Sequence, residues 1–245
     1  VTASRHTRKR VIIAALLILL ICVGLSWATE SLPTEALQRD FPQLPFESLR
    51  PSPIKGIYEV ETDNGILYYA PEASCLIIGN IFSREGKNMT RQRQEERIRK
   101  LAQTLPLAQA LKIGSGRHTV IEFTDPDCPY CRRAAQMLAE KENITRYIFF
   151  YPLSKTSADK VRHILCASDP EAAYKESYRG GLDSKPLLHC DTAAVQERMN
   201  IHREQGRRLG IEGTPYFIID GHIVPGADLP AIERLLADPE PGRKK

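Results

Sequence analysis

Away from its two ends, the chain carries no marked surplus of charge of either sign. Its formal net charge of +4 is inflated by Arg5, Arg8, Lys9 and Arg10 ahead of the first apolar run and by Arg243, Lys244 and Lys245 at the close. The basic run Arg91, Arg93, Arg97, Arg99 and Lys100 is balanced by Glu95 and Glu96 and reads as a solvated helix face, so no nucleic-acid role is assigned. A second close pair of cysteines is also missing. Cys166 and Cys190 stand alone, which argues against a structural zinc site. Neither His118 nor His222 has the partner pattern of a cysteine–histidine hydrolase, and no metal or organic cofactor is expected. Nothing points to bulk disorder either: at 42% hydrophobic and 26% charged over 245 residues, the composition is that of a globular protein of one or two domains.

The most informative stretch present is Val120-Ile-Glu-Phe-Thr-Asp-Pro-Asp-Cys-Pro-Tyr-Cys-Arg-Arg133, an apolar run that ends in a turn and a C-x-x-C pair opening an amphipathic segment. Cys131, Ala134, Ala135 and Leu138 fall at i, i+3, i+4 and i+7, which turns Cys131 inward and leaves Cys128 at the exposed first turn. Thiol exchange needs this asymmetry. Unpaired N–H groups and the positive end of the helix dipole favour a thiolate on Cys128, and Cys131 can then resolve a mixed disulfide. Asp125 and Asp127 read as turn and N-cap residues rather than catalytic acids.

Residues Val11 to Ala28 form a nearly unbroken apolar block behind the basic cluster and end in Ser26-Trp-Ala28, a small-x-small pattern suited to signal peptidase. Export is expected, with residues 1–28 either a cleaved signal peptide or a retained, N-terminus-inside membrane anchor. In an oxidising compartment Cys128 and Cys131 can cycle, while Cys75, Cys166 and Cys190 should contain a structural pair. Cys166 with Cys190 is the pairing chosen, because the two bracket a polar, Gly-containing stretch. Cys75 is left odd and reads as a small buried hydrophobe on a strand, with an intermolecular bridge as the alternative.

Residues 29–89 read as a small N-terminal module. After one short helix around Leu32 to Asp40, Gly56 to Thr62 and Ile66 to Ala70 flank Asp63-Asn-Gly65 as a hairpin, and Cys75 to Phe82 completes a meander. Three or four strands bury too little to stand alone, so the module is expected to pair with a copy of itself. Residues 90–113 read as a linker, its helix (Thr90 to Leu105) placing Ile98, Leu101, Ala102 and Leu105 on one face. In residues 114–245, strand His118 to Thr124, the Cys128 helix and strand Thr145 to Tyr151 give a β-α-β order and hence a parallel pair. Helices at Ser157 to Cys166, Glu171 to Tyr178 and Thr192 to Leu209 form an insertion. The sheet then resumes as a hairpin, Phe217 to Ile219 and His222 to Val224, before a closing helix from Pro230 to Leu236.

Strand, C-P-Y-C helix, strand, helical insertion and Gly213-Thr-Pro215 before a hairpin resemble the thioredoxin-like fold, in which a cis-proline loop packs beside the dithiol. Gly65-Ile-Leu-Tyr-Tyr69, Ile77-Ile-Gly79, Phe123-Thr-Asp125, Leu165-Cys-Ala167, Cys190-Asp191, Leu209 to Pro215 and Val224-Pro-Gly226 are similar to the periplasmic disulfide isomerases of the DsbC/DsbG family. The resemblance implies an α+β two-domain protein: a β-meander dimerisation domain, a linker helix and a thioredoxin-like α/β catalytic domain with a helical insertion. It further implies a periplasmic homodimer acting on misoxidised exported proteins and kept reduced by a membrane thiol reductant of the DsbD type. Cys128 and Cys131 would be catalytic, Pro129, Tyr130, Thr214 and Pro215 would meet the substrate, and Cys166–Cys190 would be the structural bridge.

Two features depart from the family pattern. Pro129-Tyr130 between the cysteines is similar to DsbG rather than to the Gly-Tyr of DsbC. Glu122, six residues before Cys128, stands where the compared isomerases are apolar and where thioredoxin and DsbA carry a buried acid. It is expected either to exchange the proton of Cys131 from a desolvated site or to be a partly exposed strand-end residue. Two other functions stay open at this point: a net disulfide oxidase, and a dimeric chaperone or assembly factor in which the dithiol is secondary.

Overall fold

The computed structural model describes residues 33–188 and 190–237. The expectations for residues 1–28 lie outside that range. The chain divides into two compact units, the first drawn from residues up to Ile77 and the second containing everything from Ile78 onward.

In the N-terminal part, helix α1 (Thr34–Asp40) precedes a four-stranded sheet of β1 (Ser48–Pro51), β2 (Tyr58–Thr62), β3 (Gly65–Ala70) and β4 (Cys75–Ile77), paired in chain order. Gly65 adopts a φ of 118° where β3 begins, a conformation that L side chains rarely take. Leu37, Leu49, Val60, Tyr68 and Tyr69 form the buried interior, with the Tyr69 hydroxyl donating to Asp40 at 2.7 Å. The third meander strand is shorter than the sequence implies. It stops at Ile77, and Phe82 makes only an isolated bridge to Asn88.

Helix α2 (Met89–Ala102) is capped by the Asn88 side chain, which accepts from the Arg91 N–H. Its residues Ile98, Leu101 and Ala102 pack, with Leu105, against Phe123, Phe149, Leu209, Ile211 and Ile218. The apolar face read as a linker surface is therefore spent on the second unit's core.

The rest of that unit runs β5 (Leu111–Ile113), β6 (His118–Thr124), α3 (Pro129–Ala139), β7 (Ile144–Phe150), α4 (Lys155–Cys166), α5 (Pro170–Tyr178), α6 (Ala193–Arg208), β8 (Tyr216–Ile219), β9 (His222–Pro225) and α7 (Leu229–Leu236). The sheet order is β5-β7-β6-β8-β9, with β6 parallel to β7 and antiparallel to β8. Asp220 and Gly221, at φ 47° and 82°, make the two-residue turn between β8 and β9. Alternation along β6 sends Ile121 and Phe123 to the α2 side, and sends Val120 to a cluster with Ala134 and Leu138 of α3. Glu122 and Thr124 share the face of Val120, and that placement sets the chemistry described next.

Candidate active site

Helix α3 begins at Pro129, whose missing N–H costs nothing at a first helical position, and Cys128 is its N-cap. The sulfur of Cys128 accepts from the Cys131 N–H at 3.4 Å, so the thiol occupies the site where unpaired helix amides converge. Cys128 is half-buried, whereas Pro129 and Tyr130 are exposed, Tyr130 by 62%. The Thr214–Pro215 peptide bond is cis, and the Cys128 thiol donates to the Thr214 carbonyl at 3.4 Å. Residues 128, 214 and 215 thus meet although 86 positions separate the first two.

Cys131 is 1% exposed. Burial pushes its thiol up to about 12, while Thr214, the Asp125 amide and the Thr124 hydroxyl each pull in the opposite direction. The amide of Asp125 lies 3.5 Å from the sulfur. Both sulfurs are free thiols.

A polar cluster fixes the turn that presents Cys128. Asp125, 3% exposed, accepts from the amides of Asp127 (2.7 Å) and Leu153 (2.8 Å) and from the Ser157 hydroxyl (2.6 Å). Asp127 pairs with Lys160, and Arg132 donates to the Pro126 carbonyl at 2.6 Å while gripping both oxygens of Asp183. Burial raises the Asp127 carboxyl, but hydrogen bonds from Lys160 and Ser157 hold it below its ordinary value. Asp125 is the turn residue that the sequence implies. The N-cap is Cys128 itself, not an aspartate.

Glu122 is 1% exposed, which removes the strand-end reading. Its carboxylate accepts from Arg146 at 2.7 Å and from the Tyr174 hydroxyl at 3.3 Å. Arg146 also reaches the Tyr174 oxygen at 2.6 Å. Glu122 and Arg146 thus supply one another's counter-charge in the interior. The Asp125 amide points at the Cys131 sulfur from the end of the same strand.

Cys166 and Cys190 form a disulfide, closing a separation of 24 residues, and Cys75 is free and exposed. The exposure of Cys75 differs from the buried strand position expected, because β4 is the edge of its sheet.

The geometry agrees with comparisons to known proteins. Residues 24–91 match the family model for the disulfide bond isomerase protein N-terminal domain, and residues 105–237 match that for the thioredoxin-like domain. A probable thiol:disulfide interchange protein DsbC of Bordetella avium is 31% identical over 206 residues, covering 80% of this chain and 72% of the relative. The chain belongs to the DsbC family. Within that family, the DsbC of Escherichia coli K12 is 25% identical over 206 residues, covering 80% of this chain and 83% of the relative. The probable DsbC of Bordetella pertussis is 35% identical over 177 residues, covering 70% of this chain, and the chain spans 61% of that relative's length. A linker-deletion mutant of Proteus mirabilis ScsC superposes with a TM-score of 0.51 at 22% identity, covering 60% of this chain and 83% of that one, which shows the shared fold.

Lys160, Ser157, Asp183 and Arg146 belong to the surroundings of this DsbC-family dithiol, and sequence reasoning missed them. Arg146 carried a signal that could have been read: a lone charge inside the run Ile144 to Phe150, opposite the strand that holds Glu122. Lys160 and Asp183 offered none, since their partners lie 23 to 51 residues away on other elements.

Proposed function

We propose that the protein catalyses thiol-disulfide exchange on exported proteins, isomerising or reducing incorrect disulfides in the periplasm. The observation that carries this reading is the half-buried Cys128 sulfur, set on the N-terminus of α3 beside Thr214 and cis-Pro215, with Cys131 buried three positions on. As a thiolate, Cys128 attacks a substrate disulfide, forming one S–S bond and releasing the other substrate sulfur as a thiolate. In isomerisation a second substrate thiolate attacks the mixed disulfide and frees Cys128, so no electrons are gained or lost overall. In reduction Cys131 loses its proton and attacks Cys128; the reduced substrate leaves, and two electrons restore the dithiol from a membrane thiol reductant of the DsbD type.

Thr214, Pro215, Pro129 and Tyr130 border Cys128 and are assigned to substrate contact. The N-terminal module is assigned to homodimerisation. Ile77 (44% exposed) on edge strand β4 supports that assignment, since an unpaired edge with apolar side chains favours association. The test is recovery of activity from a scrambled multi-disulfide protein in a glutathione buffer. Catalysed recovery that disappears in Cys128→Ala is expected; equal recovery with and without the protein would overturn the reading.

A further inference from the structure

Between helices α3 and α5 and the strands β5 and β7 lies a cavity of about 130 Å³, wholly inside the second unit. Ala135 and Ala139, one turn apart on α3, open it, since their side chains leave space that longer ones would fill. Its walls are apolar: Ile113, Leu138, Ile144 and the rings of Tyr174 and Tyr178, which stack with centroids 4.2 Å apart. An apolar cavity of about 150 Å³ in another protein takes up benzene, so one aromatic ring suits a space of this size. Arg146, 4% exposed, also lines it. Its Nη2 donates to Glu122 at 2.7 Å and to Tyr174 at 2.6 Å, whereas its Nε is buried and has no hydrogen-bond partner among the described residues. An unpaired buried N–H is costly, and an oxygen entering through the cavity would satisfy it. Glu122 already balances the guanidinium charge, so the oxygen that suits this place is a neutral one; a second buried carboxylate would have no counter-charge. The rim differs. There Lys175 pairs with Glu171, and Lys141 and Arg179 outnumber Glu142.

We propose that this cavity binds a single-ring aromatic compound with a neutral carbonyl oxygen at one end and an anionic group at the other. The carbonyl accepts from Arg146 Nε, the ring fills the apolar space beside Tyr174 and Tyr178, and the anion stays in water at the rim near Lys141 and Arg179. Cys128, Thr214 and Pro215 do not line the cavity, so the site stands apart from the dithiol. Ala135 and Tyr178 nonetheless pack in one cluster with Cys131. A bound ring should therefore raise resistance to urea without covering Cys128.

Full-length protein is titrated with para-acetylbenzoate by calorimetry, and in isotope-labelled arginine samples the Arg146 Nε–H signal, assigned by its loss in Arg146→Lys, is followed by NMR. Saturable binding with a Kd of about 1 mM or tighter is expected, with a downfield shift of that signal as it gains an acceptor. Para-isopropenylbenzoate has nearly the same shape but no carbonyl oxygen. It should bind about three- to tenfold more weakly, the worth of one neutral hydrogen bond, and should not shift the signal downfield. Acetophenone, which lacks the anion, should also bind more weakly, the difference closing as salt is raised. Ala139→Leu, at an exposed position, fills the space and should weaken para-acetylbenzoate at least about tenfold while Cys128 keeps its rate of reaction with a small disulfide. The three ligands on wild-type protein carry the test even if that variant folds poorly. Absence of saturation by about 10 mM would overturn the proposal. So would equal affinity for the isopropenyl compound, acetophenone binding as tightly at low salt, or unchanged binding in a folded Ala139→Leu.

Discussion

Glu122 and Arg146 form a 2.7 Å ion pair whose side chains are 2% and 4% exposed. Each neutralises the other in a place where water cannot, so removing one leaves an uncompensated buried charge costing roughly 3 to 5 kcal/mol. Glu122→Ala is expected to lower the unfolding free energy by that order, measured by urea titration. Glu122→Gln, which keeps an acceptor, should leave the pH dependence of exchange between pH 6 and 9 unchanged. A flattened or displaced profile would place the carboxylate on the proton path of Cys131.

His202 gives the fold a sensitivity to acid. Its Nδ1 accepts from the Phe150 amide at 3.0 Å, its Nε2 lies 2.8 Å from the Gln109 carbonyl, and burial lowers its pKa to about 4. The unfolded chain takes up this proton more readily than the folded one. Stability from this group is therefore complete above about pH 6.5 and is lost as pH falls to about 4, an effect on the order of 3 kcal/mol at 1.36 kcal/mol per unit. Urea midpoints measured from pH 7 to 4 should fall, and His202→Gln should reduce the slope.

The Cys166–Cys190 bridge closes 24 residues that contain α5, the helix carrying both Tyr174 and Tyr178. Loop closure of that length stabilises by roughly 3 to 4 kcal/mol. A Cys166→Ser, Cys190→Ser double variant is expected to unfold at correspondingly lower urea.

Ile77 lies on the N-terminal edge strand, and Ile78, 84% exposed, follows it in sequence. On the proposed dimerisation role of this module, wild-type protein should sediment as a dimer and Ile77→Lys with Ile78→Lys as a monomer, while Cys128 keeps its rate of reaction with a small disulfide.

Much of the fold was legible because its signals are local. The apolar run His118 to Thr124, the dithiol on the following helix and the Asp220-Gly221 turn all appear where period and turn chemistry place them. Strands β1 and β5 were not legible, since three or four residues carry no period, and they exist because a neighbouring strand pairs with them. The site divides in the same way. Cys128, Cys131 and Pro215 announce themselves by motif, whereas the partner of Glu122 is fixed by strand register, which sets Val120 against Arg146 and so brings Arg146 to the face of Glu122.

The most direct measurement is covalent capture by a Cys131→Ala variant, in which a mixed disulfide on Cys128 cannot be resolved from within. Incubation with a scrambled disulfide protein, acid quenching and mass spectrometry should recover that protein joined through residue 128, with no such adduct when Cys128 is also replaced. Absence of the adduct, or adducts joined only through Cys75, would contradict Cys128 as the sulfur that attacks.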